Sequence, residues 1–205
     1  MQLACQLRSG ANPVLDVSIA RRRWGLSLAA AMLFAPLVTH HASAEALRGW
    51  DKPMHGVAVV LPASWSSKYS PGKTEMLTAT CNTEACRSTQ EVCTVVVTSN
   101  PISLSGYLPS SWLVSLTIGS DKIRKSVLKG SHEGAKITKQ PGGEQIGDQS
   151  WYTAESLAPY GWKSLFHATA VIDKRFIRVR CRTCERSDKR FDFARKFVSS
   201  LSVKP

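Results

Sequence analysis

Acidic residues are scarce in this chain: 15 Asp and Glu stand against 27 Lys and Arg, a formal net charge of +12. That imbalance points away from cationic partners and toward anionic ones, such as lipid headgroups, nucleic acid or acidic proteins. The chain also lacks the ~20-residue apolar run that a membrane-spanning helix needs. Its longest such run, residues 24–38, would be ~22 Å long as a helix, short of a ~30 Å hydrocarbon core. There is no internal repeat and no low-complexity block, which argues against solenoids and disordered arrays. No G-x-S-x-G, H-E-x-x-H or phosphate-cradling Gly-rich loop occurs, so the common hydrolase, zinc-protease and nucleotide-binding signatures are missing. Neither His55, His132 nor His167 sits in a local motif with a carboxylate or cysteine. No catalytic residue, metal site or cofactor is therefore expected.

The short apolar run has a different use. It follows Arg21, Arg22 and Arg23 and ends in Ala42-Ser43-Ala44. A basic stretch, a short hydrophobic core and an A-x-A site make a secretory signal peptide. Cleavage is expected after Ala44. The arginines also give a loose twin-arginine match, so both export routes stay open. Cys5 follows Leu3-Ala4 with no apolar region before it, which argues against a lipoprotein anchor. Removing residues 1–44 takes away Arg8, Arg21, Arg22, Arg23 and Asp16, leaving 23 basic and 14 acidic residues, a net charge of +9. The basicity belongs to the mature chain, which at 161 of the 205 residues suits one domain. Its destination is periplasmic or secreted, with no membrane span.

Periodicity then gives an element order. Residues 45–55 read as an arm. Residues 56–61 form a short strand closed by Pro62 and a Ser-rich turn around Trp65. Residues 75–81 and 92–99 are Thr- and Val-rich strands. Leu77, Ala79 and Cys81 share one face, and Cys93, Val95 and Val97 share another. Antiparallel pairing with Cys81 opposite Cys93 buries every apolar pair. Residues 109–130 read mostly as helix, with Trp112, Leu116, Ile123 and Val127 on one face, Ser110 or Ser111 as N-cap and Gly130 as C-cap. A strand at 135–139, a turn at 140–143 and a strand at 144–156 follow. Residues 163–172 and 175–182 form a hairpin around Asp173-Lys174. Residues 187–201 close the chain as an amphipathic helix, with Ser187 as N-cap and Phe193, Phe197 and Leu201 in one row. Trp151, Tyr152, Tyr160, Trp162 and Phe166 supply core or a pocket rim.

Three stretches carry a family resemblance. They are residues 56–62 followed by Trp65, residues 147–152 (Gly-Asp-Gln-Ser-Trp-Tyr) leading a strand, and residues 175–179 before a last helix ending Phe197-Val198-Ser199-Ser200-Leu201. In this order the chain resembles the PsbP/Mog1/DcrB-like superfamily. The resemblance implies an α+β fold, an antiparallel sheet sandwiched between helices, over residues 56–205. It also implies an accessory, binding or assembly role with no shared chemistry, and fold alone assigns no function.

Cys81, Cys86, Cys93, Cys181 and Cys184 remain after processing. In an oxidising compartment they should form disulfides, and an odd count leaves one thiol free. The register above favours Cys81–Cys93, a closure that contributes about 2–3 kcal/mol. The second bridge is Cys181–Cys184, or one of these to Cys86. Two rival uses stay open. Cys86, Cys93, Cys181 and Cys184 are a possible four-thiolate zinc set. Cys181-x-x-Cys184, lying before a helix, is a possible redox pair.

Residues 174–196 carry ten basic side chains against three acidic ones. Arg178, Arg180 and Arg182 alternate with Ile177, Val179 and Cys181, so they share a strand face. Three guanidinium groups ~7 Å apart form a ladder suited to carboxylates or phosphates. With Lys174 and Arg175 they are the candidate site for an anionic protein or envelope component. Phe176 begins that face, and Trp162 or His167 neighbours it across the hairpin. No nucleic-acid-binding motif accompanies the charge, so nucleic acid is not the expected partner.

Overall fold

A computed structural model describes residues 5, 47–49, 56–62, 64–71, 74–84, 86–99 and 108–203. The expected leader lies outside these residues, apart from Cys5. The elements run β1 (Leu47–Gly49), β2 (Val57–Ala58), β3 (Val60–Pro62), β4 (Trp65–Ser70), β5 (Glu75–Cys81), α1 (Cys86–Thr89), β6 (Val92–Ser99), α2 (Ser110–Ile118), α3 (Ser120–Gly130), β7 (Lys136–Ile146), β8 (Gln149–Leu157), β9 (Ser164–Ile172), β10 (Arg175–Thr183), α4 (Asp192–Ser199) and β11 (Ser202–Val203). Seven strands form one antiparallel sheet in the order β4-β5-β6-β10-β9-β8-β7. The antiparallel sheet between helices that the resemblance implies is the architecture present.

Strand alternation gives the sheet two different faces. On one, Leu77, Val95, Val179, Phe166, Ala168 and Trp151 are buried under Val57, Val59 and Leu61 and under Ala194, Phe197 and Val198 of α4. Trp65 stacks on Phe197, with ring centroids 6.2 Å apart. On the other face, Leu113 and Val114 of α2 and Ile123 and Val127 of α3 pack on Tyr152, Ala154, Leu165 and Val171. These two helices cover β7, β8 and β9. Helix α3 also reaches β10 through Arg180 and Arg182, and neither helix covers β6 and β5. The sheet therefore has one closed face and one half-closed face.

Local chemistry explains the connections. Asp173 and Lys174 have φ of 46° and 61° between β9 and β10. Two successive residues with positive φ make the hairpin turn whose twist matches the flanking strands. Gly119, at φ 77°, separates α2 from α3. An L side chain rarely adopts that angle, so the helix expected over 109–130 breaks in two there.

Several expectations need correction. Trp65 opens strand β4, because Ser66, Ser67 and Lys68 put their polar side chains outward on a sheet edge. Residues 140–143 do not turn. β7 runs through Pro141, Gly142 and Gly143 with register shifts, and the turn falls at Gly147-Asp148. Ser110 and Ser111 do not cap α2, since Pro109 holds the N-cap position with no side-chain bond. Ser110 Oγ donates instead to the Ser150 carbonyl. Trp112 and Leu116 point outward, 64% and 70% exposed, while Leu113 and Val114 face the sheet. The final helix starts at Asp192, not near Ser187, and Leu201 lies beyond its end.

The cysteines are also paired differently. Ala79 stands opposite Cys93, and Trp65 stands opposite Cys81. This register is shifted by two residues from the expected one, so it buries the same faces. The bridges are Cys5–Cys184, Cys81–Cys86 and Cys93–Cys181. Cys93 has Cys181 directly opposite it on β10, a long-range neighbour that local pairing could not reveal. No described cysteine is free.

Cys5 precedes the expected cleavage point, and this yields a prediction. In the full chain Cys184 is bridged. Processing after Ala44 before oxidation removes Cys5 and leaves Cys184 as the odd thiol. Alkylation followed by peptide mass analysis should find Cys184 protected in full-length protein and modified in processed protein. Protection of Cys184 in a chain lacking Cys5 would mean it has found another partner.

Candidate functional site

The arginine ladder lies on the half-closed face. Arg178, Arg180 and Arg182 are half-buried on β10. With Met76 of β5 and Val92, Thr94 and Val96 of β6 they line a cleft of about 240 Å³. Helix α3 holds two of the three guanidinium groups beside it. Arg180 Nη2 donates to Ser126 Oγ at 2.6 Å, and Arg182 Nη2 donates to the Gly130 carbonyl at 3.1 Å. A Cβ at Gly130 would press on Leu165 Cδ2 at 3.1 Å and touch Arg180 at 3.8 Å.

The electrostatics are one-sided. Burial, then the neighbouring charges of Arg178 and Arg182, pulls the Arg180 pKa down. Burial does the same to Arg182. Lys163 is lowered by burial and by Arg182. No salt bridge among the described residues involves Arg178, Arg180, Arg182 or Lys163. Arg180 Nε is buried without a hydrogen-bond partner. Arg178 and Arg182 thus act on Arg180, and Arg182 acts on Lys163 beside the cleft, with no salt bridge among the described residues to offset them. An incoming anion relieves that repulsion and fills the open donors.

His167 lies opposite Arg180 in the β9–β10 register and is 2% exposed. Burial, then Arg180 and Arg178, hold its pKa down to about 3, so it is neutral at ordinary pH. Its Nε2 shares a 2.8 Å hydrogen bond with the Thr169 hydroxyl, and its Nδ1 is unpartnered.

The sequence-predicted residues divide. Arg178, Arg180 and Arg182 come together, and His167 joins them. Arg175 alternates to the other strand face, and Lys174 sits exposed at the hairpin tip. Trp162 stacks on His132, with ring centroids 3.9 Å apart. Lys163, Ser126, Met76 and Thr94 were not foreseen. Lys163 opens the hairpin that carries the ladder, a signal that could have been read. Ser126 and Met76 arrive only through tertiary packing.

The cysteines form no common centre. Cys93 and Cys181 are wholly buried and bonded to each other, so neither belongs to a zinc set or a C-x-x-C redox pair. Among the described residues the one trio with ligand-like closeness is Cys81, Cys86 and Glu91. Its two sulfurs are bonded together, and only a thiolate is a good metal ligand. No described helix is long and apolar enough to cross a membrane.

No protein-family model matches the chain, and neither does any curated protein. Solved structures similar to it include the following. The solution structure of cyanobacterial PsbP (CyanoP) from Synechocystis shares 14% identity, covers 83% of this chain and 100% of its own, and has a TM-score of 0.49. The crystal structure of the Ran-binding protein Mog1p from Saccharomyces cerevisiae shares 10% identity, covers 78% and 96%, and has a TM-score of 0.43. A Bacteroides thetaiotaomicron crystal structure shares 12%, covers 77% and 48%, and has a TM-score of 0.41. At these identities and scores the likeness carries neither family membership nor function.

Proposed function

We propose that this is an exported, non-catalytic binding module, periplasmic or secreted, that docks an anionic partner in the arginine cleft. The carrying observation is the unpaired quartet Arg178, Arg180, Arg182 and Lys163. Structural proteins normally pair cations that are taken partly out of water, because an unpaired one costs free energy. Leaving four of them unpaired makes sense where a ligand completes the set. The cleft suits a partner that offers carboxylates or phosphates beside a small apolar group, since Met76, Val92 and Val96 adjoin the arginines. The two disulfides within residues 45–205, Cys81–Cys86 and Cys93–Cys181, support an oxidising destination.

The test is charge reversal with a matched control. Arg178 makes no hydrogen bond among the described residues, so Arg178→Glu should leave the fold intact. Lys174→Glu changes the charge equally at the exposed hairpin tip. Retention on an anionic matrix is read as the salt needed for elution, and affinity for an acidic peptide as Kd. Arg178→Glu should weaken the peptide Kd about 10-fold and elute at clearly lower salt, while Lys174→Glu changes the Kd less than 2-fold. Equal shifts in the two variants would mean that net charge alone governs binding and would remove the cleft from consideration.

A further inference from the structure

The Cys81–Cys86 bridge differs from Cys93–Cys181 in what surrounds it. Cys93 and Cys181 are completely buried. Cys86 is only partly buried, so this bridge lies nearer the surface than Cys93–Cys181. Cys81–Cys86 spans a sequence separation of 5, whereas Cys93–Cys181 spans 88. Opening the short loop returns little chain entropy to the unfolded state, so the protein can stay folded with that bridge open. Cys81 also keeps its place in β5 without the bridge, because its N–H donates to the Glu91 carbonyl at 3.1 Å.

Polar groups stand at both sulfurs. Glu91 Oε2 lies 3.4 Å from Cys86 Sγ, and Thr83 Oγ1 lies 3.3 Å from Cys81 Sγ. Glu91 is half-buried, and Thr89 donates to its other oxygen at 3.3 Å. The charged group that acts on it from a neighbouring element is Glu185, which follows β10. On α1 itself, Arg87 pairs with Glu84 at 3.0 Å at the surface. Burial, with the Glu185 charge, raises the Glu91 pKa against the lowering effect of Thr89.

We propose that Cys81–Cys86 is a redox-active disulfide that exchanges with dithiols, with Glu91 as its proton donor and acceptor. A thiolate of the dithiol attacks Cys86 Sγ, the sulfur of the less buried cysteine. The S–S bond breaks, and Cys81 leaves as a thiolate beside the Thr83 hydroxyl and takes up a proton from water. The second thiol of the partner gives its proton to water, and the thiolate so formed attacks its own sulfur in the mixed disulfide. Cys86 departs and receives the proton of the Glu91 carboxylic acid. The partner is oxidised to a disulfide by two electrons, and the bridge is reduced to two thiols. In the reverse direction the Glu91 carboxylate takes the Cys86 proton and creates the attacking thiolate. This activity uses none of the arginine cleft, so it stands or falls separately from anion docking.

The experiment uses the full oxidised chain and dithiothreitol as the dithiol. Samples are quenched by alkylation at intervals, and the modified cysteines are assigned by peptide mass. Cys81 and Cys86 should become modified at least ~10-fold faster than Cys93 and Cys181, with the circular dichroism of the folded protein retained. Reoxidation of the Cys81–Cys86 pair is then followed against pH in the parent and in Glu91→Gln, which keeps the shape and removes the ionisation. The parent profile should contain an ionisation step that Glu91→Gln lacks. Opening of Cys81–Cys86 no sooner than Cys93–Cys181 would overturn the proposal. So would superimposable pH profiles, which a merely structural Glu91 gives.

Discussion

Replacing Cys93 and Cys181 together by alanine should lower the unfolding free energy by about 4 kcal/mol, the largest loss from removing any one bridge within residues 45–205. The chain-entropy estimate for a loop of this span is about 4.5 kcal/mol, against about 2 kcal/mol for a loop as short as Cys81–Cys86. The two cysteines tie β6 to β10, which are adjacent at the centre of the sheet, with Cys181 directly opposite Cys93. Both are buried among Val95, Val179 and Phe166, so the alanine pair also loses packing contacts. For a chain of this size, about 4 kcal/mol corresponds to a Tm lower by ~10–15 °C. Thermal unfolding of this variant beside Cys81→Ala/Cys86→Ala checks the ranking. A larger loss from the Cys81–Cys86 variant would show that the central bridge is not the structural staple.

That ranking could not be read from the sequence, and the reason is physical. Strand periodicity is local, so β5, β6, β9 and β10 and the turn at Asp173-Lys174 were legible from alternation and turn chemistry. Disulfide partners depend on which strands are neighbours. β6 and β10 are far apart in the chain, and nothing in either strand marks the other. The same limit hid the α3 groups that hold the arginines. The shared face of Arg178, Arg180 and Arg182 follows from period two alone. Their half-burial under α3 follows from Gly130 and Ser126 coming to rest against β10, which is a tertiary event. The residues misplaced by sequence reasoning, Lys174 and Arg175, were grouped with the ladder by charge. Alternation should have separated Arg175, since an odd offset from Arg178 puts it on the opposite face. Pro141, Gly142 and Gly143 misled for another reason. β7 is the edge strand of the sheet, where a proline and register shifts are tolerated, so turn-like residues remain in a strand.

Arg195→Met should cost about 3 kcal/mol, because it strips the central cation from a buried carboxylate, Glu155, and a partly buried one, Glu144. Arg195 of α4 donates from Nε to Glu144 Oε1 at 2.9 Å and from Nη2 to Glu155 Oε1 at 2.5 Å. Its guanidinium lies 5.4 Å from the centroid of the Phe166 ring. Glu144 also receives Lys139 Nζ at 2.5 Å and the Thr153 hydroxyl at 2.7 Å, while Arg190 reaches Glu155 only at 3.9 Å. Glu155 is 8% exposed, so losing Arg195 leaves it buried and poorly compensated. Methionine keeps the aliphatic stem over Phe166, which confines the loss to charge. Adding Glu144→Gln and Glu155→Gln to Arg195→Met should restore most of the stability, since a buried network removed whole costs far less than one broken in half. The acid limb gives a second readout. Burial pushes the Glu144 pKa up, but the bonds from Lys139, Thr153 and Arg195 override it and hold it at about 2, below the ordinary 4.5. A depressed carboxylate contributes stability above its unfolded pKa and loses it as the pH falls through the folded one. The contribution is therefore complete above about pH 4.5 and disappears toward pH 2. Denaturant unfolding across that window should show a decline in the parent that is shallower in Glu144→Gln. Parallel declines, or an Arg195→Met cost under about 1 kcal/mol, would place the network among ordinary solvent-screened surface pairs.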